Sequence, residues 1–483
     1  MSNKRHYLWA FVEKIAPLGI SFVVSVIIAR MVAPAAYGLI GMMAIFMALG
    51  QAFSELGFGA ALVQQKEITA DDETSVFVVN LVGGTVITAI LCAASPLVAQ
   101  FFDQQILVEL LCVQSLTILI ASTGLVQFAL ISRKMKFRLG AIIEVVATFM
   151  SGIVGISMAY AGYGVWSLVG LGVSRELVRA ATAWIVGDWW PTGRFSVERV
   201  RAMWSYCSKL LYASLFHRVA TNLHTVIIGK IFAPEALGLY ARASGLQALP
   251  GGVVTGIVQR VAFPAFSRNQ DNKVHLLYSL RKQVRVLVVL MSVSMALLGV
   301  LAAELVPWLF GPNWIGSVPL LQILCLGGAI AAVFPLHSQM TMALGESGIF
   351  FKVEMTKKLV IVIVLAVVYR FGIAGFAWGA VIISFADYCL SAFPSTRLLG
   401  YSWRMQIADL LPAFILNGAA AVVILEAPWD PSWPAVLTVA TKATVFLMLV
   451  ATFLYVFRSL YFADAWDIMH NLSAAASQRL RRS

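Results

Sequence analysis

Residues 284–310 read VRVLVVLMSVSMALLGVLAAELVPWLF, with Arg285 and Glu304 as the only charges. Roughly 20 apolar residues of α-helix span the hydrocarbon core of a bilayer. In that solvent each backbone N–H and C=O must be satisfied within the segment or its closed sheet, so a lone apolar run of this length is helical. The pattern recurs along the chain. About fourteen segments qualify: approximately 11–32, 37–56, 76–98, 106–130, 141–161, 163–186, 207–231, 235–258, 284–310, 317–343, 353–370, 373–394, 408–426 and 436–457. Hydrophobic residues make up 60% of the chain and charged ones 12%, with a mean hydropathy of +0.86. Such a chain cannot cover its apolar surface in water. The sequence predicts an all-α polytopic membrane protein.

The net charge of +12 is distributed as a topology signal. Most Lys and Arg fall at the termini or in even-numbered loops, as in "SRKMKFR" (132–138), Arg194, Arg199, Arg201, Arg268, Lys273, Arg281, Lys282 and the final "RLRRS". The odd-numbered loops hold only Arg30, Lys230 and Arg370. This bias places both termini in the cytoplasm and leaves no reason to invoke nucleic acid. The first apolar segment reads as an uncleaved span, because the cleavage-site-like "VAPAA" after it returns as "FAPEA" deep inside the chain. Most tryptophans fall at segment ends, as an interfacial belt would place them. The five cysteines lie in apolar segments without CxxC spacing and read as packing residues.

Residues 27–39, "IIARMVAPAAYGL", recur as 227–239, "IIGKIFAPEALGL". Ile27, Ile28, Ala33, Pro34, Ala36, Gly38 and Leu39 return identically, and Arg30 answers to Lys230. At the same offset Ser21 and Ser25 meet Thr221 and Thr225; further on, "LVAQFF" (97–102) meets "LVPWLF" (305–310) and Glu144 meets Glu354. Each copy holds six helices, an even number, so both start from the same side. This predicts two six-helix lobes related by a parallel pseudo-two-fold repeat. The expected division is 1–200 for the first lobe with its linker, 201–402 for the second, and 403–483 for an extra helix pair with a cytoplasmic tail. The Trp-rich, basic segment 187–206 reads as an interfacial amphipathic linker.

The stretches "LGLYARASGLQALPGGV" (237–253), "VAFPAFSRNQDN" (261–272) and "AYGLIGMM" (36–43) resemble the polysaccharide transporter branch of the multidrug/oligosaccharidyl-lipid/polysaccharide exporter superfamily, and in particular its exopolysaccharide (colanic-acid-like) flippases. The resemblance covers nearly the whole chain. It implies a V-shaped pair of six-helix lobes that flips undecaprenyl-diphosphate-linked oligosaccharides across the bacterial inner membrane. It also implies partnership with polysaccharide polymerase and export machinery. Many members have twelve helices, so the last pair read here is an addition.

An ionisable side chain inside a span costs about 2.5–3.5 kcal/mol on insertion scales, so it faces a cavity or a partner. On the seventh span Ser214, Arg218, Asn222 and Thr225 share one helical face, with His217, Thr221 and His224 beside them. On the first span Lys14, Ser21 and Ser25 occupy the matching positions. Paired across the pseudo-axis, these faces would line a polar cavity, with Arg242 and Arg260 as further cationic contacts. Arg218 instead pairs with a carboxylate if its role is to hold helices together. Arg30 and Lys230 either snorkel to headgroups or act at a gate. Arg175, Glu176 and Arg179 are spaced to compensate one another. Glu55 (four residues after Gln51), Glu144 and Asp387 either bind a coupling proton or sodium ion, or cap helices and neutralise arginines. His337 and Gln339 interrupt the tenth span in the same two-valued way.

No GxxxxGK[ST], HExxH or GxSxG occurs, so the sequence gives no support for a nucleotide site, a metal site, a cofactor or a catalytic centre. A lipid-linked oligosaccharide requires cations for its diphosphate, polar walls for its sugars, and lipid for its tail. The basic face meets these demands. A multidrug/cation antiporter, the first alternative, wants intramembrane carboxylates. A membrane polymerase or acyltransferase wants larger outer loops and a catalytic constellation.

Overall fold

A computed structural model describes the backbone of residues 2–55, 57–268, 270, 272–430 and 432–456, and the side chains of these except 2–15, 213, 253–265 and 453–456. Among the described residues all regular structure is helical: α1 (Ser2–Met31), α2 (Pro34–Glu55), α3 (Phe58–Gln64), α4 (Ala70–Phe102), α5 (Leu107–Arg133), α6 (Phe137–Tyr160), α7 (Val165–Val186) and α8 (Val197–Ile231). There follow α9 (Pro234–Arg268), α10 (Lys273–Phe310), α11 (Ser317–Ala331), α12 (Phe334–Ala343), α13 (Ser347–Val368), α14 (Gly372–Leu399), α15 (Trp403–Glu426) and α16 (Ala435–Val456). Nine helical segments among the described residues are long and apolar enough to cross a bilayer. The chain is a multi-pass helical membrane protein.

Local sequence sets the helix ends. Pro34 and Pro234 open α2 and α9 at the first helical position, where the missing N–H costs nothing. Thr69 caps α4 in a reciprocal box with Asp72. Asn272 accepts from the His275 N–H at 3.0 Å to open α10. Gly400, at φ 71°, closes α14 in the left-handed conformation and delivers Tyr401 to the turn before α15.

Backbone packing groups the chain into two compact units, one covering Met1–Gly238 and one beginning at Leu239. In the first, α4 packs on α5, α6 on α7 and α1, and α8 on α2, α3 and α4. Phe58, Leu62, Val76, Val126 and Cys207 form a fully buried cluster that also takes Trp189. In the second, α10 packs on α11, α15 and α16, while α14 packs on α11, α12 and α13. Val300, Leu416, Ala420, Ile424, Phe446 and Val450 join α10, α15 and α16.

The 187–206 linker divides at Val197, where α8 begins. Residues 187–196 form no helix; they lie as a strap along the first turns of α4. The Trp189 indole donates to Glu73 at 2.7 Å. The backbone N–H groups of Gly193, Arg194 and Ser196 donate to Thr74, Asp71 and Ser75 at 3.0, 2.7 and 2.9 Å. The N-terminal side chains of α4 thus supply acceptors that an interfacial helix would have provided within itself, and helix resumes at Val197.

Candidate functional site

The polar face of α8 forms in the first unit as its spacing predicts, and its members are largely satisfied by their own helix. Arg218 Nε donates to Ser214 Oγ at 3.2 Å. Asn222 donates to the Arg218 carbonyl at 2.8 Å, Thr221 to the His217 carbonyl at 2.9 Å, and Thr225 Oγ1 lies 3.3 Å from His224 Nε2. His217 and Thr221 are exposed and Arg218 is half-buried. Ser21 and Ser25 are half-buried on α1, whereas the side chains of Lys14 and Arg260 lie outside the described residues.

Within the first unit, charges cluster around the meeting of α2, α6, α7 and α8. Arg179 Nε donates to Glu144 Oε1 at 2.7 Å, Arg175 reaches the other oxygen at 3.3 Å, and Arg179 also reaches Glu176 at 3.3 Å. The Arg179 guanidinium lies 4.0 Å over the Phe128 ring. Glu55, at the end of α2, feels the charges of Arg218, Arg179 and Glu176. Three arginines thus face three glutamates, and the neighbourhood is balanced. Glu55, Gln51, Ser54, Phe128, Ser132 and Arg179 line a cavity of about 390 Å³ beside it.

This geometry bears on the readings left open by the sequence. Glu144 neutralises arginines. Arg175, Glu176 and Arg179 compensate one another chiefly through Glu144 on the neighbouring helix. Glu55 on α2 lies within the electrostatic reach of Arg218 on α8, a relation that no single-helix pattern could reveal. Lys230 pairs with Asp103 at 2.9 Å and lies 5.4 Å from the Phe101 ring, so it is held at the helix end rather than extended alone. Arg133, in the basic stretch 132–138, closes α3: its guanidinium donates to the carbonyls of Leu62 and Lys66, both at 2.8 Å, and to that of Gln65.

The second unit holds its own charges. Lys357 Nζ is 2.6 Å from Glu354 and only 3% exposed, and lies 4.7 Å from the Phe334 ring. Lys357, Lys358 and Glu354 set the field at Asp387, whose buried Oδ1 has no hydrogen-bond partner among the described residues. Arg242 lies over Phe310 and Trp314, at 4.4 and 4.8 Å. His337 is fully buried, 2.7 Å from Ser395 Oγ and stacked on Tyr401.

Two side chains of the last helix pair were not singled out from sequence. Asp409 on α15 receives Arg281 at 2.7 and 2.9 Å and Arg285 at 2.9 Å, and the Tyr401 hydroxyl donates to it at 2.8 Å. Burial and that carboxylate raise the Tyr401 phenol well above its ordinary range, so it remains a donor. Lys442 on α16 pairs with Glu304. These contacts and the Asn417–Ser292 bond of 2.9 Å fasten α15 and α16 to α10. Among the described residues no three metal-ligating side chains converge.

The family model described as "Polysaccharide biosynthesis protein" matches residues 27–319, and the chain belongs to that family. It is 23% identical over 431 residues to the lipopolysaccharide biosynthesis protein WzxC of Escherichia coli (strain K12), covering 86% of this chain and 87% of that one. It is 24% identical over 408 residues to the succinoglycan biosynthesis transport protein ExoT of Rhizobium meliloti (strain 1021), covering 84% and 81%. Among solved structures it shares its fold with the lipid II flippase MurJ in an inward closed conformation: TM-score 0.72, 14% identity, 94% of this chain and 100% of that one. An inward-facing multidrug resistance MATE family transporter of the MOP superfamily also shares the fold, at TM-score 0.58 and 14% identity over 85% and 98%.

Proposed function

We propose that this protein translocates polyprenyl-diphosphate-linked oligosaccharide repeat units, with undecaprenol as the carrier, across the bacterial inner membrane for exopolysaccharide or lipopolysaccharide synthesis. It is a transporter and not an enzyme. The observation that carries the reading is the hydroxyl-, amide- and cation-bearing face of α8, in a family named for polysaccharide biosynthesis and a fold shared with a lipid II flippase. Arg218 and Lys14 contact the diphosphate, Arg242 and Arg260 are secondary contacts, and Ser21, Ser25, His217, Thr221, Asn222 and Thr225 present hydrogen-bonding groups to the sugar-bearing end. Both termini are cytoplasmic, and the polymerase and export machinery receive the product.

Transport proceeds by alternating access of two six-helix lobes, 1–200 and 201–402, with 403–483 as an accessory pair. A ligand shifts such an equilibrium only by its differential affinity for the two states. Glu55 and Asp387 are the groups available for ion coupling; the two arginines on Glu144 favour a structural role for it. The test is transfer of a radiolabelled polyprenyl-diphosphate oligosaccharide in proteoliposomes, with Arg218→Gln alongside. The reading expects translocation by the wild type and a loss of about tenfold in the variant. Full export by a well-expressed Arg218→Gln variant would remove Arg218 from the site.

A further inference from the structure

We infer a sugar subsite in the first unit: the cavity of about 390 Å³ among α2, α3, α5 and α7 holds a neutral pyranose, the first sugar of a glycan lipid. The inference deepens the flippase reading and rests on it for the lipid to which the sugar is joined. Six hydrogen-bonding side chains line the cavity: Gln51, Ser54 and Glu55 from α2, Ser122 and Ser132 from α5, and Arg179 from α7. Gln51 and Glu55 stand one helical turn apart and both are exposed, so an amide and a carboxylate face a ligand side by side. Glu55 feels charges at a distance and accepts no hydrogen bond among the described residues. Arg179 commits Nε to Glu144 and Nη1 to Glu176, which leaves its Nη2 for a ligand.

The charge balance points to the kind of ligand. The lining carries one guanidinium and one carboxylate, and around it Arg175, Arg179 and Arg218 face Glu55, Glu144 and Glu176. A balanced set has no surplus charge with which to hold an anion or a cationic drug. It offers donors and acceptors together. A hydroxyl group donates and accepts at once, so a polyol uses both: it gives its protons to Glu55 and receives from Arg179 and Gln51. Bonds to the two ionised groups are the stronger ones. Leu125 and Phe128 supply an apolar wall for the C–H face of the ring, the mixture of apolar lining and few placed polar groups that small-molecule sites use. Glu55 also lies within the electrostatic reach of Arg218, the residue proposed to contact the diphosphate. The sugar carried directly on that diphosphate is therefore the one the cavity meets. This assigns Glu55 a hydroxyl partner in place of a coupling ion.

The test is native mass spectrometry of the purified full chain with undecaprenyl diphosphate, bare or carrying a single glucose or galactose. The expected result is retention of at least one hexosyl lipid about tenfold above the bare lipid. Glu55→Gln and Gln51→Ala should each narrow that preference, and the double variant should abolish it, with retention of the bare lipid as in the wild type. Both positions are exposed, and unchanged melting of the variants separates binding from folding. A Glu55 that served only a coupling ion would leave the preference intact in the variants. Failure of the wild type to translocate glycan lipid, with the preference present and dependent on Glu55 and Gln51, would defeat the flippase reading and leave the subsite standing. Equal retention of the bare and both hexosyl lipids by the wild type, or a preference that survives in the double variant, overturns the subsite, even where translocation proceeds.

Discussion

Gly38 and Gly238 each lie against the proline that opens the other's helix. A Cβ on Gly38 would stand 1.7 Å from the Pro234 carbonyl oxygen, and one on Gly238 would stand 1.9 Å from that of Pro34. The four residues are the Pro and Gly of the two Ala-Pro phrases, so the first turns of α2 and α9 cross backbone to backbone. Gly38→Ala and Gly238→Ala are therefore expected to lower thermal stability in detergent, by about 1–3 kcal/mol each as overpacking does. Gly19→Ala, where nothing lies within 4 Å, should not. Equal melting of all three variants would deny the crossing.

The same crossing bears on transport. Cysteines replacing Ala35 and Glu235, one residue beyond each proline, are expected to cross-link and to slow export when linked. Efficient cross-linking with export at the full rate would rule out separation of these helix starts during the cycle.

The charge cluster of the first unit should behave as a unit. Glu144 holds Arg179 and Arg175, so Glu144→Gln leaves two half-buried arginines short of a partner, and a loss of about 1–3 kcal/mol is expected. Combining it with Arg179→Gln should cost less than the sum of the single losses, because the second change removes the orphaned charge. Strict additivity in unfolding measurements would show that the pair is not coupled.

The rods and the repeated phrase were legible because bilayer length and apolarity leave a strong one-dimensional signal. The six-residue-scale details were not. The strap 187–196 carries Trp189, Trp190 and Arg194, and the α4 residues Asp71, Glu73, Thr74 and Ser75 capture its hydrogen bonds. The shared face of α8 was visible as a periodicity. The electrostatic reach of Arg218 to Glu55 was not, since the two belong to different helices and periodicity speaks only within one. Asp409 escaped for the same reason: its meaning lies in Arg281 and Arg285, far away in sequence.

The basic stretch 132–138 and the segment 427–435 make the topology testable. Ser132, on the last turn of α5, and Ser432, in the turn before α16, are both exposed and stand beside segments of opposite charge character. Cysteines there, in a background without native thiols, should differ in labelling by an impermeant reagent, with Ser432 reached from outside and Ser132 protected. Equal outside labelling would invert or discard the assignment of cytoplasmic ends.

Removing the α15 anchor should loosen the last helix pair selectively. Asp409→Asn deprives Arg281 and Arg285 of their carboxylate, and cleavage by protease in the 400–402 turn is expected to rise while the first unit stays resistant. Unchanged protection there would mean that apolar packing of Leu416, Ala420 and Phe446 suffices to hold the pair.

The proposed activity is movement of a lipid-linked glycan rather than of a soluble cation. Its most direct measurement is the fraction of radiolabelled undecaprenyl-diphosphate oligosaccharide that crosses the bilayer of proteoliposomes, scored by access of an impermeant glycan-modifying enzyme. Protein-dependent translocation is expected, falling about tenfold in Arg218→Gln. No translocation above protein-free vesicles, together with uptake of a cationic drug by the same preparation, would contradict it and make the protein an antiporter.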